Sequence, residues 1–143
     1  MQKKVLIIGG SSGLGRRLAE MYATEGCQVG IIARRGLLLK EIQQQFPNHV
    51  RIAKADINDI DIPEKLNQII TELGGINICI IAASVVEFNH EFSITPEIKT
   101  VETNISGFIK VLNFVWHYFK QKGSGHIAGV TSIAAARGNK IVP

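Results

Sequence analysis

The sequence has few of the features that mark disulfide-rich, zinc-binding or membrane proteins. Its two cysteines, Cys27 and Cys79, form no Cys-x-x-Cys pair, and its four histidines show no metal-ligand spacing. The longest apolar run, residues 78–86, is far shorter than the ~20 residues that a membrane-spanning helix needs. The apolar stretch after residues 1–4 is too short for a signal peptide. We therefore expect no disulfide, no metal site and no membrane segment, and a cytoplasmic location.

Charge gives little support for a nucleic-acid partner. The chain has 16 Lys and Arg against 12 Asp and Glu, but its basic residues form no dense cluster interleaved with aromatics. No acidic residue follows Glu102, an asymmetry that a chain missing an acidic remainder would also show. With 143 residues, 45% of them hydrophobic, the composition predicts one compact domain over residues 1–143.

Short apolar runs alternate with helical stretches along the chain. The apolar runs predict strands over residues 4–8, 28–33, 50–54, 78–82 and 126–131. Continuous hydrophobicity within such runs is typical of parallel strands that are covered on both faces. Between them, the pattern predicts helices over residues 14–25, 37–45 and 63–73 and a longer helix before the last strand. This order predicts an α/β fold, a doubly wound parallel sheet of Rossmann type with five strands and flanking helices.

The longest predicted helix has Thr95 as its N-cap and Pro96 at its first position, and it runs to Lys122. Apolar residues recur along it at steps of three and four, which predicts one continuous buried seam. The seam comprises Ile98, Val101, Ile105, Phe108, Leu112, Val115 and Phe119. More apolar side chains lie beside the seam, and they predict a homo-oligomer that associates through this helix. They are Ile109, Val111, Phe114, Trp116 and Tyr118.

A glycine-rich segment, residues 9–15, follows the first predicted strand and opens the first predicted helix. Gly9, Gly13 and Gly15 permit a tight turn and a close backbone approach to a pyrophosphate at the positive helix N-terminus. Ser11 and Ser12 belong to the same turn and are predicted to surround that pyrophosphate. The alternative is a turn that binds nothing, but the strand-turn-helix context favours a dinucleotide site.

Two arginines, Arg34 and Arg35, stand at the end of the second predicted strand. Dinucleotide-binding folds often have an acidic residue there, which binds the ribose diol of NAD. Guanidinium groups instead suit the 2′-phosphate of NADP, so the sequence predicts NADP rather than NAD, with Arg34 as the first candidate. The alternative is a pair of solvated arginines at a strand end.

The spacing Gly9-x-x-x-Gly13-x-Gly15, with Asn104 and Ser132 downstream, resembles the short-chain dehydrogenase/reductase family over the whole chain. The resemblance implies an oxidoreductase that moves hydride between a nicotinamide cofactor and a small-molecule carbonyl or alcohol. The complete family pattern also has a Tyr about thirteen residues after the serine and a Lys four residues later. That Tyr would fall at position 145, so we expect these 143 residues to lack both groups and to be inactive alone.

The resemblance also implies roles for individual residues. Asp56 corresponds to the family's adenine-binding acid, Asn104 to the residue that holds a water of the proton relay, and Ser132 to the substrate-orienting serine. The alternatives, which give these residues no role in binding or catalysis, are a turn cap at Asp56, a tolerated polar residue at Asn104 and a strand-end hydroxyl at Ser132. The remaining predicted cofactor contacts are Leu14, Ile57 and Ala82.

Two departures from the family pattern occur as a pair. Ile8 stands where the family has Thr, and Ile81-Ala82-Ala83-Ser84 stands where it has Asn-Asn-Ala-Gly. Both polar positions tie adjacent strands together in the family. Replacing both by isoleucine exchanges hydrogen bonding for apolar packing, which can be nearly neutral.

Tyr118 and Lys122 have the Tyr-x-x-x-Lys spacing but precede the serine. On a straight helix Tyr118 would lie about 21 Å beyond Asn104, too far for proton transfer, so we expect it to pack at a helix end. Two functions stay open. One is the cofactor-binding part of an NADP-dependent oxidoreductase, and the other is a non-catalytic dinucleotide-binding or interaction module that kept the fold.

Overall fold

The computed structural model describes residues 2–132. Five strands form one parallel sheet in the order β3-β2-β1-β4-β5. The strands are β1 (Lys4–Ile8), β2 (Gln28–Ala33), β3 (Val50–Lys54), β4 (Ile78–Ile81) and β5 (His126–Gly129). The helices are α1 (Gly13–Thr24), α2 (Gly36–Gln45), α3 (Ile62–Glu72), α4 (Ile94–Val101) and α5 (Phe108–Lys122), with a π-helical segment (Glu102–Gly107) between the last two.

Helices cover both faces of the sheet, which confirms the doubly wound architecture. On β1, the side chains of Leu6 and Ile8 belong to a core cluster with α3 and α5. The side chains of Val5 and Ile7 point the other way, into a cluster with α1 and α2. Burial on both faces explains why the strands read as continuous apolar runs rather than alternating ones.

Ile8 and Ile81, the two departures from the family pattern, are register partners on β1 and β4. Each is 1% exposed, and both lie in the cluster with α3 and α5. The backbone still joins the two strands, since the amide of Ala82 donates to the carbonyl of Ile8 at 2.8 Å. The paired replacement is therefore accommodated as apolar packing. Strands β4 and β5 end at Ile81 and Gly129, one and two residues earlier than predicted.

The prediction of a single helix with Thr95 as its N-cap was wrong. Helix α4 begins at Ile94 after an N-cap at Ser93, so Thr95 lies inside its first turn. The π-helical segment then interrupts the regular hydrogen-bond pattern. It brings Gly107 so close to the loop after β3 that a Cβ there would lie 2.7 Å from Cγ2 of Ile57. A wider turn of this kind is rare and occurs mostly as a short insertion within an α-helix.

The prediction of one continuous buried seam was wrong for the first half of this stretch. Ile98, Val101 and Ile105 are 50%, 46% and 52% exposed, and α4 has no buried residue. The buried positions of this stretch are Thr103, Gly107, Val111, Val115 and Phe119. A periodicity of 3.6 residues cannot be extended through a π turn, because the extra residue rotates everything on one side of it relative to the other.

Candidate functional site

A cleft of about 290 Å³ lies at the carboxyl ends of the strands. It is centred where the strand order reverses between β1 and β4, the place where open α/β sheets bind ligands. Every residue predicted to contact the cofactor lines this cleft. They are Gly9, Ser11, Ser12, Gly13, Leu14, Gly15, Arg34, Arg35, Asp56, Ile57 and Ala82.

The glycine-rich turn leaves no room for side chains at two positions. Gly9 has φ +90°, and a Cβ there would lie 2.4 Å from the amide nitrogen of Ala83. A Cβ on Gly15 would lie 2.4 Å from the carbonyl oxygen of Gly9. Ser12, the N-cap of α1, makes no side-chain capping bond, and the first turn holds no acidic residue. The helix amides are thus open to an anionic ligand, and the turn fits a phosphate group.

Arg34 and Arg35 reach different partners across the cleft. Nη1 of Arg34 lies 3.5 Å from Oδ2 of Asp56, an ion pair between β2 and the loop after β3. Nε of Arg35 donates to Oγ of Ser11 at 3.1 Å, and its Nη2 donates to Oγ of Ser12. Arg35 therefore spans the glycine-rich turn, whereas Arg34 is held by a carboxylate.

The loop after β3 is fixed by its own acidic residues. Oδ1 of Asp56 accepts from the amide of Asn58 at 3.0 Å, and the amide of Asp56 donates to Oδ2 of Asp59 at 2.9 Å. That backbone hydrogen bond, assisted by the ammonium of Lys65, holds the pKa of Asp59 below its usual value. Such bonds favour the charged carboxylate, so the loop is ordered by charge as well as by packing.

Asn104 lies in the π-helical segment, but it does not line the cleft. Its Oδ1 accepts from the amide of Val85 and its Nδ2 donates to the carbonyl of Val85, both at 2.8 Å. The side chain therefore ties the helix to the loop after β4. Ser132 follows β5 at the same sheet edge and is exposed, outside the cleft lining. Their predicted catalytic roles stay predictions.

Eight residues that were not predicted as cofactor contacts also line the cleft. They are Ile8, Ile32, Ala33, Ala55, Ala83, Ser84, Thr103 and Val130. Thr103 is buried, and its Oγ1 accepts a hydrogen bond of 3.0 Å from Nδ2 of Asn58. Its position directly before Asn104 was the available signal. Thr103 and Asn104 thus join the helix to the loops after β3 and β4 respectively.

Tyr118 and Lys122 lie at the opposite edge of the sheet. Oη of Tyr118 accepts from the amide of Ile76 at 3.2 Å, and Nζ of Lys122 donates to the carbonyl of the same residue. Ile76 lies two residues before β4, whereas the cleft lies after the end of β4. This pair fastens α5 to the amino end of β4.

Comparison with known proteins agrees with the class of fold and site described above. The family model for short chain dehydrogenase matches residues 3–143. The chain belongs to this family, whose members use NAD or NADP. A short chain dehydrogenase from Bacillus anthracis is 26% identical and has a TM-score of 0.90, over 98% of this chain and 59% of that one.

Two curated relatives that overlap with this chain to a similar extent have different names. An uncharacterized oxidoreductase from Mycobacterium tuberculosis is 30% identical over 96% of this chain and 57% of its own length. The L-rhamnose-1-dehydrogenase of Scheffersomyces stipitis is 30% identical over 95% of this chain and 57% of its own length. The structure of ElxO with NADP bound has a TM-score of 0.88 at 23% identity, over 99% of this chain and 60% of that one. The chain spans about 57% of the length of the curated relatives named here.

Within residues 2–132, no helix is long and apolar enough to cross a membrane. The same residues contain no cluster of three His, Cys, Asp or Glu side chains that could hold a metal ion. Both cysteines are buried free thiols, and burial raises the pKa of Cys79 to about 12.

Proposed function

We propose that this chain forms the cofactor-binding part of an NADP-dependent short-chain oxidoreductase. The observation that carries the proposal is the cleft at the strand-order reversal, where a glycine cradle, an open helix N-terminus and two guanidinium groups meet. When bound there, the cofactor would supply the redox chemistry: NADPH would give hydride to a small-molecule carbonyl, and NADP+ would take hydride from an alcohol.

The residues of the chain would bind and orient that cofactor. Amides of the Gly9–Gly15 turn would donate to the pyrophosphate, with the hydroxyls of Ser11 and Ser12 beside them. The guanidinium groups would face the 2′-phosphate, and Asp56 with Ile57 would contact the adenine. Asn104 and Ser132 would serve the substrate side, as the family resemblance implies.

The cofactor preference is tested by calorimetric titration of the chain with NADP and with NAD. A charge-assisted hydrogen bond contributes about 1.5–3 kcal/mol, so we expect NADP to bind roughly 10- to 100-fold more tightly. Equal affinities, or tighter binding of NAD, would contradict the proposal. Such a result would favour a module that kept the fold but reads no 2′-phosphate.

We expect no ordinary reductase turnover from these 143 residues alone. They contain two tyrosines: Tyr118 binds the backbone of Ile76 at the far end of the strands, and Tyr22 belongs to α1 and packs partly against the core. A positioned proton donor supplies about 10²–10⁴-fold in rate. The assay is NADPH oxidation with a panel of ketones and aldehydes, and rapid turnover of any of them would contradict this expectation.

We also propose that the chain self-associates through an exposed apolar stripe along α4, the π-helical segment and α5. The stripe is Ile94, Ile98, Val101, Ile105, Ile109 and Trp116, each at least 46% exposed. A patch of this kind on a soluble domain marks a contact surface. Of the residues first predicted for this surface, Val111 is fully buried, and Phe114 and Tyr118 pack partly against the core.

Light scattering at micromolar concentration tests the association. We expect a mass of at least twice 15.7 kDa, and we expect Ile105→Glu together with Ile109→Glu to return a folded monomer. Val111→Glu is the matched control, because a charge at this buried position should unfold the domain instead. A monodisperse wild-type monomer would refute the stripe as an interface.

A further inference from the structure

The two arginines at the end of β2 are adjacent in sequence but differ in electrostatic partner. Arg34 is ion-paired with Asp56, and the two side chains are 52% and 30% exposed. Arg35 is held by the hydroxyls of Ser11 and Ser12. Among residues 2–132, no carboxylate forms an ion pair with Arg35.

We propose that Arg35 is the main guanidinium that binds the 2′-phosphate. We also propose that Asp56, the ion-pair partner of Arg34, sets the strength of the NADP preference. This inference rests on the proposed function, since it assumes that the cleft takes NADP. It assigns Asp56 a role in phosphate discrimination that contact with adenine would not give it, and it ranks Arg35 above Arg34.

The reason lies in charge neutralisation. A phosphate that approaches Arg34 must share the guanidinium with the carboxylate of Asp56, and the two anions repel each other. An exposed ion pair is weak, so the phosphate can displace the carboxylate of Asp56 from Arg34. Breaking that pair nevertheless costs part of the free energy that the new phosphate contact contributes. Asp56 therefore lowers the affinity for a phosphorylated ribose through Arg34.

Arg35 carries no such penalty. Its nitrogens donate to the two serine oxygens, and a hydroxyl that accepts a hydrogen bond keeps its own proton for donation elsewhere. Arg35 therefore presents an uncompensated positive charge and also leaves the protons of Ser11 and Ser12 available for a phosphate oxygen. Ser11 is 5% exposed, which limits the positions that its hydroxyl group can adopt.

The experiment is calorimetric titration of the full chain with NADP and NAD, and with adenosine 2′,5′-bisphosphate and adenosine 5′-phosphate as smaller probes. The variants are Arg35→Gln, Arg34→Gln, Asp56→Asn and the double variant Arg34→Gln/Asp56→Asn. Glutamine keeps a side-chain amide that can reach the serine hydroxyls but removes the charge. The ratio of affinities for the phosphorylated and unphosphorylated probes isolates the 2′-phosphate from any effect on adenine.

We expect Arg35→Gln to lower that ratio about 10-fold and Arg34→Gln only about 2- to 3-fold, since charge-assisted contacts exceed exposed ion-paired ones. Asp56→Asn should raise the ratio about 2- to 5-fold. In the double variant this gain should disappear, because Asp56 acts through Arg34.

An Arg34→Gln loss as large as that of Arg35→Gln would overturn the ranking of the arginines. An unchanged or lowered ratio in Asp56→Asn, or a gain that persists without Arg34, would overturn the role of Asp56. These outcomes differ from a wild-type chain with no 2′-phosphate preference, which would overturn the proposed function itself. Circular dichroism of each variant identifies any change in folding, and Arg35→Lys, which keeps the charge, should recover more of the ratio than Arg35→Gln.

Discussion

The parallel strands end at one side of the sheet, here called the carboxyl edge, and begin at the opposite side, the amino edge. Both edges carry polar side chains, but these side chains bind different partners. At the carboxyl edge, Arg35 bonds to the hydroxyls of Ser11 and Ser12, and all three line the cleft. At the amino edge, Tyr118 and Lys122 bond to the backbone amide and carbonyl of Ile76. The first edge keeps its backbone amides open to a ligand, whereas the second uses its side chains to satisfy the backbone.

The difference shows that residue type and spacing do not define a site without its place in the fold. Lys4 follows the same rule at the amino edge, where its Nζ donates to the carbonyl of Gly74 at 2.8 Å. The backbone amide of Lys4 donates to Oδ1 of Asn77 at 2.9 Å. Polar side chains there bind backbone groups of the loops. The Tyr-x-x-x-Lys pair at that edge, Tyr118 and Lys122, therefore has a structural role.

The largest effect should come from adding one methyl group at the carboxyl edge. In Gly9→Ala the new Cβ would meet the backbone of Ala83 at 2.4 Å, at a φ of +90° that alanine avoids. We expect a loss of about 2–4 kcal/mol in the free energy of unfolding, from backbone strain and overpacking together. We also expect NADP affinity to fall at least ~10-fold, since the turn must move.

Gly26→Ala is the matched control, because Gly26 lies before β2 at the amino edge. Its φ is +79°, yet, apart from its chain neighbours, no atom of residues 2–132 lies within 4 Å of the added Cβ. It should lose only about 1–2 kcal/mol from the left-handed backbone and keep its NADP affinity. Urea unfolding and calorimetric titration give both quantities. Equal effects of the two substitutions would mean that strain, and not the cradle, governs the carboxyl edge.

Sequence predicted the carboxyl edge well because its signals are local. Strand bounds for β1, β2 and β3 agree with the prediction, since each strand is a short apolar run ended by glycine or polar residues. The parallel order then brings the strand ends together, which places the glycine turn beside Arg34, Arg35 and Asp56. The fold class, and the part of the cleft lining that was predicted, follow from these two facts.

The helical stretch from Ile94 to Lys122 was predicted less well because its structure depends on tertiary contacts. Nothing in the periodicity marks the π-helical segment, which is fixed by Thr103 with Asn58 and by Asn104 with Val85. The face that α4 exposes is decided by that segment. The partners of Arg34 and Arg35 also had no local signal, since they lie on other strands and turns.

A smaller effect is expected from Tyr118→Phe at the amino edge. The substitution removes the oxygen that accepts the amide of Ile76, a fully buried residue. An unsatisfied buried donor costs about 1–3 kcal/mol, so the free energy of unfolding should fall by that amount. NADP affinity should stay within about twofold of the wild type, because the contact lies at the edge away from the cleft.

Tyr22→Phe is the control for removal of a tyrosine oxygen. Tyr22 packs partly against the cluster of α1 and α2, and no hydrogen bond of its hydroxyl is found within residues 2–132. Its substitution should change the free energy of unfolding by less than about 0.5 kcal/mol. A larger loss of NADP affinity than of stability in Tyr118→Phe would assign Tyr118 to the site and break the contrast between the edges.

The smallest effect should be an acid dependence at the carboxyl edge, centred on Asp59. Its carboxylate accepts from the backbone of Asp56 at 2.9 Å and lies 3.3 Å from Nζ of Lys65. The first of these contacts, and then the second, lower the pKa of Asp59 in the folded state. A lowered folded pKa adds stability that is fully present above the unfolded value of about 3.9 and is lost as the pH falls below it.

We therefore expect Asp59→Asn to lower the free energy of unfolding at pH 7 by only a few tenths of a kcal/mol, since the group is 40% exposed and solvent screens it. The difference from the wild type should persist down to about pH 4 and disappear as the pH falls below about 3.9 and then below the lowered folded pKa, because the wild-type carboxyl then becomes neutral as well. Asp61→Asn removes another carboxylate beside Lys65, 3.0 Å from its Nζ, but no bond to the backbone of the cleft loop. Urea unfolding of the three proteins across this pH range measures the contrast. An equal acid dependence for both variants would show that the charge of Lys65, rather than the tie to Asp56, stabilises this part of the carboxyl edge.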